Sequence, residues 1–393
     1  MKPIQRMIVI VLDGVGAGEA PDAADYGDVG SNSLGNTARV LGGLDLPNMR
    51  DLGLGYITPM MGVPQVKNPG GAFGRLTPRS AGKDTISGHW ELMGIRLENA
   101  FPTYPDGFPP EVIDEFRRRV GRDILGNKPA SGTEILVELG VEHMRTGKPI
   151  VYTSADSVFQ IAAHEEVIPI EQQYWMCLQA REMLQGKHAV GRVIARPFLG
   201  SNPENFTRTT RRRDYPLLPP TQTMLQKAVA AGLEVCSVGK IDDIFAHQGI
   251  TRSNHTTNNA SSLAATLEFL EDDFKGILFV NLIEFDMLYG HRNDAPGYAA
   301  ALKVVDDAVP EIQRRLRMGD IVLFVADHGV DPTTPSTDHS REFAPLLIFG
   351  PPVRPSVHLG DRGAFSDVAA TIAQAFVLEP PLVGQSFLEE ITA

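Results

Sequence analysis

Cysteine is almost missing from this chain. Its 393 residues carry two, Cys177 and Cys236, far apart and in no CxxC pattern. That excludes a disulfide framework and a zinc knuckle, and both thiols are expected to be buried. Cations are also short: 36 Lys and Arg against 48 Asp and Glu give a net charge of −12. Nucleic acid and anionic membranes are therefore poor partners, and an anionic substrate would need a local basic pocket. Long apolar runs are absent as well, since no segment approaches the roughly 20 residues of a membrane span. Near the N-terminus a Lys and an Arg precede six apolar residues that end in an Asp, a run shorter than a signal-peptide core. A soluble, cytoplasmic protein is the expectation. No internal repeat or low-complexity tract is apparent.

What is present is an apolar fraction of 42%, ample for burial, in a chain longer than one core usually serves, so two domains are expected. Met7 to Leu12 reads MIVIVL, too short for a helix and without polar alternation, as in a strand buried on both faces. Asp13 ends it. Ile321 to Ala326, IVLFVA, repeats the pattern and is followed by Asp327, His328 and Gly329. A third strand, Ile277 to Phe285, leads into Asp286, with His291 five residues on, and His339 lies eleven residues after His328. Further strands are expected at 234–238 and 345–349. Ligands of open α/β sheets bind outside the carboxyl ends of the strands, so these segments can converge.

Helices fall between the strands. Leu302, Val305, Val309, Ile312 and Leu316 are spaced three, four, three, four, one apolar face of a helix from about Tyr298 to Arg317 with a kink or break expected at Pro310. Ser366 is a candidate N-cap for the next helix. Two proline-rich segments, FPTYPDGFPP (101–110) and YPLLPP (215–220), read as a hinge pair. They divide the chain into a core of 1–100 and 217–393 and an inserted cap of 101–216.

Three Asp and three His are enough for two metal ions. Carboxylates together with imidazoles suit borderline divalent ions such as Mn²⁺ or Zn²⁺, whereas Mg²⁺ or Ca²⁺ would use oxygens alone. Paired ions clamp the attacking and leaving oxygens of an in-line phosphoryl displacement. The segment GKDTISGHWELMG (82–94) offers Thr85 as nucleophile, where a loop meets a helix, with Lys83 or the helix N-terminus to hold phosphate oxygens. Taken singly, each residue has an ordinary role. A Thr before an apolar segment is usually a cap, an Asp at a strand end usually a turn residue, and a His usually a satisfied surface group. Jointly those roles are outweighed, because several strands would each have to end by chance in an Asp, two with His close behind.

VLDGVGAG (11–18), GKDTISGHWELMG (82–94), YTSADSVFQIAAHE (152–165), GRVIARPF (191–198), NFTRTTRRRDY (205–215), GKIDDIF (239–245), FVNLIEFDMLYGHRND (279–294) and ADHGVDPTTPSTDHSRE (326–342) resemble the phosphopentomutase family of the alkaline phosphatase superfamily over the whole chain. The resemblance implies an α/β fold, an alkaline-phosphatase-like core with a central mostly parallel sheet flanked by helices, plus an inserted smaller α/β cap. It implies that Thr85 carries phosphate, that Asp286, His291 and His339 hold one Mn²⁺ and Asp13, Asp327 and His328 the other. Ser154 and Asp156 would face the sugar hydroxyls, and Arg192, Arg208 and Lys240 the distal phosphate, with the choice between Arg192 and Arg196 open. The implied activity interconverts ribose 1-phosphate and ribose 5-phosphate, and the 2-deoxy sugars, through a phosphothreonine and a 1,5-bisphosphate. Glucose 1,6-bisphosphate or a similar bisphosphate would prime it.

Three rivals share parts of this pattern. A cofactor-independent phosphoglycerate mutase has the same core but resembles a family with a serine nucleophile, and Ser87 stands near Thr85. A hydrolase on the same core would lack the cap motifs. A dinucleotide-binding protein would use Gly14, Gly16 and Gly18, but DGVGAGE is not GxGxxG and Asp13 would repel pyrophosphate.

Overall fold

The structure, a computed structural model, describes residues 3–154 and 156–392. The chain divides into two compact units, one made of residues up to 100 with 219 onward, the other of residues 101–218. The second boundary falls two residues beyond the 216 read from the sequence.

The first unit is built on eight strands. In spatial order they are Arg252–Asn254, Glu234–Val238, Gly276–Leu282, Arg6–Leu12, Asp320–Val325, Ala344–Phe349, Ala72–Leu76 and Val357–Arg362. Every neighbouring pair is parallel except the two made by Ala344–Phe349, which runs against both of its partners. Arg6–Leu12 lies at the centre, in register with Gly276–Leu282 on one side and Asp320–Val325 on the other. All three are buried along their whole length, as unbroken apolar runs flanked by helices require. Their register delivers Asp13 and Asp327 to the same edge of the sheet.

Three local expectations need correction. The strand read as 277–285 stops at Leu282, and Phe285–Tyr289 forms one π-helical turn, so Asp286 stands on a turn and not directly behind a strand. Such turns gather at functional sites. The long helix runs unbroken from Ala295 to Arg315 across Pro310. Proline removes the donor that would serve the Asp306 carbonyl four residues earlier, and Asn48 Nδ2 supplies a substitute at 3.1 Å. Ser366 does precede the helix Asp367–Phe376, but it has helical φ and ψ and makes no capping bond, because an N-cap needs extended backbone to turn its oxygen toward the first turn.

The second unit has its own sheet, ordered Leu125–Pro129, Ile150–Thr153, Val158–His164, Arg192–Leu199 and Thr207–Arg208, with Arg213–Pro216 also pairing to Arg192–Leu199. Helices Pro110–Val120 and Ile170–Met183 share a core on this sheet around Phe116, Phe159, Met176 and Cys177. Helix Glu134–Thr146 packs through Ile135 and Leu136 in a second cluster with Tyr152 and Phe198. Both cysteines are buried free thiols, and burial pushes the Cys236 thiol up to about 12.

Candidate active site

At the carboxyl ends of the central strands the first unit gathers carboxylates and imidazoles. Ligand atoms of Asp286, His291 and His339 lie within 4.8 Å of one another, and so do those of Asp13, Asp286 and His328. His291 Nε2 and His339 Nε2 each stand 3.1 Å from Asp286 Oδ1. His328 Nε2 stands 3.3 Å from both Asp13 Oδ1 and Asp327 Oδ2. Asp286 is thus common to both groups, and Asp327 joins the second through His328.

The donor set fits divalent cations on a test internal to the structure. Asp13 Oδ1, Asp286 Oδ1, Asp327 Oδ2 and His339 Nε2 are buried and accept or donate no hydrogen bond. Buried polar atoms are nearly always paired, and here four turn toward one place at ligand-like spacing. In Asp13 and Asp327 the second carboxylate oxygen is occupied by the protein. Asp13 Oδ2 accepts from Asn281 Nδ2 at 2.7 Å, and Asp327 Oδ1 accepts from the Gly14 amide at 3.1 Å. One oxygen is pinned and the other is left facing the cluster, which is how a protein orients metal ligands.

Electrostatics point the same way. Burial, and then the Asp327 charge, push the Asp13 carboxyl up. Burial also opposes the Asp286 charge, but the imidazoles of His291 and His339 outweigh it and hold this carboxyl well below its usual range. His291 is raised to about 9, first by the Asp286 carboxylate that faces it. Burial acts against the His328 cation, yet Asp327 and Asp13 lift it well above the ordinary histidine value. Three carboxylates in a dry site call for positive charge.

Thr85 is the first residue of the helix Thr85–Leu92, while the cap is Asp84, whose Oδ1 accepts from the amides of Ile86 and Ser87. The threonine hydroxyl is therefore not a cap, and it stands 3.4 Å from His328 Nε2. The same contacts answer two other expectations. Two amides of the helix N-terminus are engaged by Asp84, and Lys83 pairs with Asp28 at 3.0 Å and Asp338 at 3.7 Å. Ser87 Oγ bonds back to Asp84, so it is the capping-box partner. Gly88 lets the helix lie against the loop of Asp327 and His328, since a Cβ there would fall 1.9 Å from the Asp327 carbonyl oxygen. Trp90 anchors the helix from behind with a 3.1 Å bond to the Ile244 carbonyl.

Sequence reading missed several supporting residues. Buried Arg341 donates to Asp22 and to the carbonyls of Pro78, Ser80 and Gly82, fixing the loop that leads to Thr85. Buried Glu342 accepts from the Ser33 amide and from the hydroxyls of Ser33 and Ser340. His89 and Asn281 touch both the helix that bears Thr85 and the carboxylates. The usable signals were a His four residues after Thr85 and an Asn inside the apolar run FVNLI.

The expected substrate residues fall in both units. Lys240, half-buried, follows the strand Glu234–Val238 in the first. In the second, Ser154 follows the strand Ile150–Thr153, and exposed Asp156 stands 3.9 Å from Arg192, which also approaches Asp214 at 3.7 Å. Arg196 bonds to Gln160 Oε1 at 3.0 Å. Burial raises the Tyr152 phenol, opposed by the charges of Arg196, Arg208 and Arg212. The second unit thus groups Arg196 with Arg208, and Arg192 with Asp156.

Buried carboxylates and imidazoles with free inward atoms, at the carboxyl edge of a mostly parallel sheet and beside a helix-borne hydroxyl, define a metalloenzyme of the alkaline phosphatase type. The Metalloenzyme superfamily model matches residues 5–380. A phosphopentomutase of Herpetosiphon aurantiacus is 64% identical over 388 residues, covering 99% of each chain. One of Caldanaerobacter subterraneus subsp. tengcongensis is 57% identical, covering 99% of this chain and 98% of its own. A solved protein of Pyrococcus horikoshii shares the fold at a TM-score of 0.50 and 15% identity, covering 96% of this chain and 98% of its own. The chain belongs to the phosphopentomutase family of that superfamily. Among the described residues no helix is long and apolar enough to cross a membrane.

Proposed function

We propose that the protein interconverts ribose 1-phosphate and ribose 5-phosphate, and the 2-deoxyribose pair, by phosphoryl transfer through Thr85. The observation that carries this is the position of the Thr85 hydroxyl, free of any capping role and 3.4 Å from His328 Nε2 beside buried carboxylate oxygens that lack hydrogen bonds. Family membership supplies the substrate class.

Asp286, His291 and His339 would hold one divalent ion and Asp13, Asp327 and His328 the other, Mn²⁺ by family resemblance. Bound ions would lower the pKa of the threonine hydroxyl and neutralise the phosphoryl oxygens. Phosphorylated Thr85 donates to the free 5-hydroxyl of ribose 1-phosphate. The bond from phosphorus to Oγ1 breaks as that to the sugar oxygen forms, and the hydroxyl proton is returned to Oγ1. The 1,5-bisphosphate reorients, the bond from phosphorus to the 1-oxygen breaks as that to Thr85 Oγ1 forms, the Oγ1 proton passes to the 1-oxygen, and ribose 5-phosphate leaves. Ser154 and Asp156 are assigned to the sugar hydroxyls, and Arg208, Arg192 and Lys240 to the phosphate that is not in transfer. The cycle needs water kept from the phosphothreonine, because hydrolysis would turn a mutase into a phosphatase.

The test is an incubation of the purified protein with Mn²⁺, catalytic glucose 1,6-bisphosphate and ribose 1-phosphate, measuring ribose 5-phosphate and free phosphate together. Ribose 5-phosphate without free phosphate is expected, with loss of at least about a thousandfold for Thr85→Ala, as for removal of other covalent nucleophiles. Free phosphate as the main product would replace the reading by a phosphatase on the same site.

A further inference from the structure

The helix bearing Thr85 is wired to the carboxylate cluster by two side chains with no part in the transfer described above, His89 and Asn281. Both are fully buried. His89 Nδ1 lies 2.8 Å from the Thr85 carbonyl oxygen and 3.1 Å from Asp327 Oδ2. Because Asp327 Oδ2 receives no hydrogen bond, the ring N–H is aimed at the carbonyl and only flanks the carboxylate, leaving that oxygen's lone pairs open. On its other side His89 Nε2 is 3.3 Å from Asn281 Nδ2, which also reaches Asp13 Oδ2 at 2.7 Å.

This chain has one sense. Asn281 Nδ2 donates one of its two hydrogens to Asp13 Oδ2. The second hydrogen of that nitrogen meets His89 Nε2, which must be the bare ring nitrogen, and the proton sits on Nδ1, where the Thr85 carbonyl takes it. Rotating the amide would set its oxygen against Asp13. The tautomer of His89 is thereby fixed by a carboxylate on another strand.

We propose that His89 and Asn281 are a positioning pair with separate tasks. The Nδ1 arm ties the Thr85 turn to the His89 ring, which Asn281 links to Asp13, and the Asn281 arm pins Asp13 Oδ2 so that Oδ1 is left open to a cation. The inference rests on the reading that these carboxylates bind divalent ions and that Thr85 accepts phosphate.

Two substitutions separate the arms. His89→Gln keeps an acceptor near the position of Nε2 and loses the Nδ1 donor. Asn281→Leu keeps the volume and frees Asp13. Mn²⁺ affinity is read by calorimetry, Thr85 phosphorylation by intact-protein mass after exposure to glucose 1,6-bisphosphate, and fold by thermal melting. We expect His89→Gln to hold Mn²⁺ within about threefold while phosphorylation slows by about 10- to 100-fold, and Asn281→Leu to weaken Mn²⁺ by about 10- to 100-fold, the range seen when outer partners of metal ligands are removed. Unchanged phosphorylation in His89→Gln, unchanged Mn²⁺ affinity in Asn281→Leu, or equal losses of both readouts in both variants would overturn the proposal. If His89→Gln does not fold, Asn281→Leu decides by Mn²⁺ affinity; failure of both to fold assigns the pair a structural role and overturns it. Should the unaltered protein not be phosphorylated at all, the mutase reading fails, while the Mn²⁺ arm still judges this one.

Discussion

The two ends of the central strands make a natural contrast. At the amino end, Arg6 and Asp320, neighbours in register on adjacent strands, form a buried ion pair in which every group is engaged. Arg6 Nε donates to Asp320 Oδ1 at 2.9 Å, its Nη1 serves the carbonyls of Leu270 and Asp272, and the Arg317 amide donates to Asp320 Oδ2 at 2.6 Å. At the carboxyl end of the same strands, Asp13 and Asp327 are as deeply buried and each keeps one oxygen without a partner. The burial matches, but the amino end pairs opposite charges and completes its hydrogen bonds, while the carboxyl end gathers like charges and leaves oxygens unpaired. A completed network makes a joint, whereas an incomplete one that converges makes a binding site, held in place by the rest of the fold.

The largest expected effect breaks the carboxyl end. Asp327→Asn should cut mutase turnover by about a thousandfold or more, since it weakens a ligand and unbalances the site, while the metal-free protein melts within a few degrees of the unaltered one. Addition of Mn²⁺ should raise the melting temperature of the unaltered protein and much less that of the variant. An ion present at about 100 times its dissociation constant contributes about 2.7 kcal/mol. A variant with full turnover would take Asp327 out of the site.

At the amino end the signs reverse. Asp320→Ala leaves the Arg6 guanidinium buried without its counter-charge and should cost about 3–5 kcal/mol, whereas replacing both with apolar residues of similar volume should cost far less. Denaturant titration measures the loss. Turnover per folded molecule and Mn²⁺ affinity should stay unchanged in either case. A selective loss of Mn²⁺ affinity would abolish the distinction between the two ends.

Glu342 lies between these extremes. It is fully engaged by Ser33 and Ser340, yet burial pushes its carboxyl up from 4.5 to about 7. A raised acid favours the folded state in its protonated form, so the contribution is complete below about pH 4.5 and is lost as pH rises through about 7. The span corresponds to about 3 kcal/mol. Glu342→Gln should remove that fall, and stability curves of the two proteins from pH 5 to 8 should converge at the acid end and separate toward the alkaline end. Parallel curves would show that Glu342 does not titrate there.

The sequence disclosed these two ends unequally. A strand buried on both faces is an unbroken apolar run, so the central strands could be read directly, and an Asp closing such a run drew attention to Asp13 and Asp327. Asp286 was harder, because the π-helical turn that carries it has no period a short segment can show. Of the kink or break expected at Pro310, the break did not occur, and the carbonyl that proline leaves free is met by the Asn48 amide on another segment. His89 and Asn281 are 192 positions apart, and their pairing is a product of tertiary structure. Boundaries, caps and outer partners depend on what arrives from elsewhere in the chain, and the apolar pattern of one segment does not encode that.

The smallest effect tests whether accounting or location decides. Asp84 sits beside Thr85 at the functional end, but both its oxygens are engaged, Oδ1 by the amides of Ile86 and Ser87 and Oδ2 by the Ser87 hydroxyl. By location it belongs with Asp13 and Asp327, and by hydrogen bonding it belongs with Asp320. Asp84→Ala should therefore cost about 1 kcal/mol of stability, the usual value of a lost N-cap, with Mn²⁺ affinity held within about threefold, and Asp84→Asn should recover most of the stability because asparagine caps as well. A tenfold loss of Mn²⁺ affinity in Asp84→Asn would mean that its charge reaches the ions despite the cap, and that proximity outranks satisfied hydrogen bonds in deciding which carboxylates this site uses.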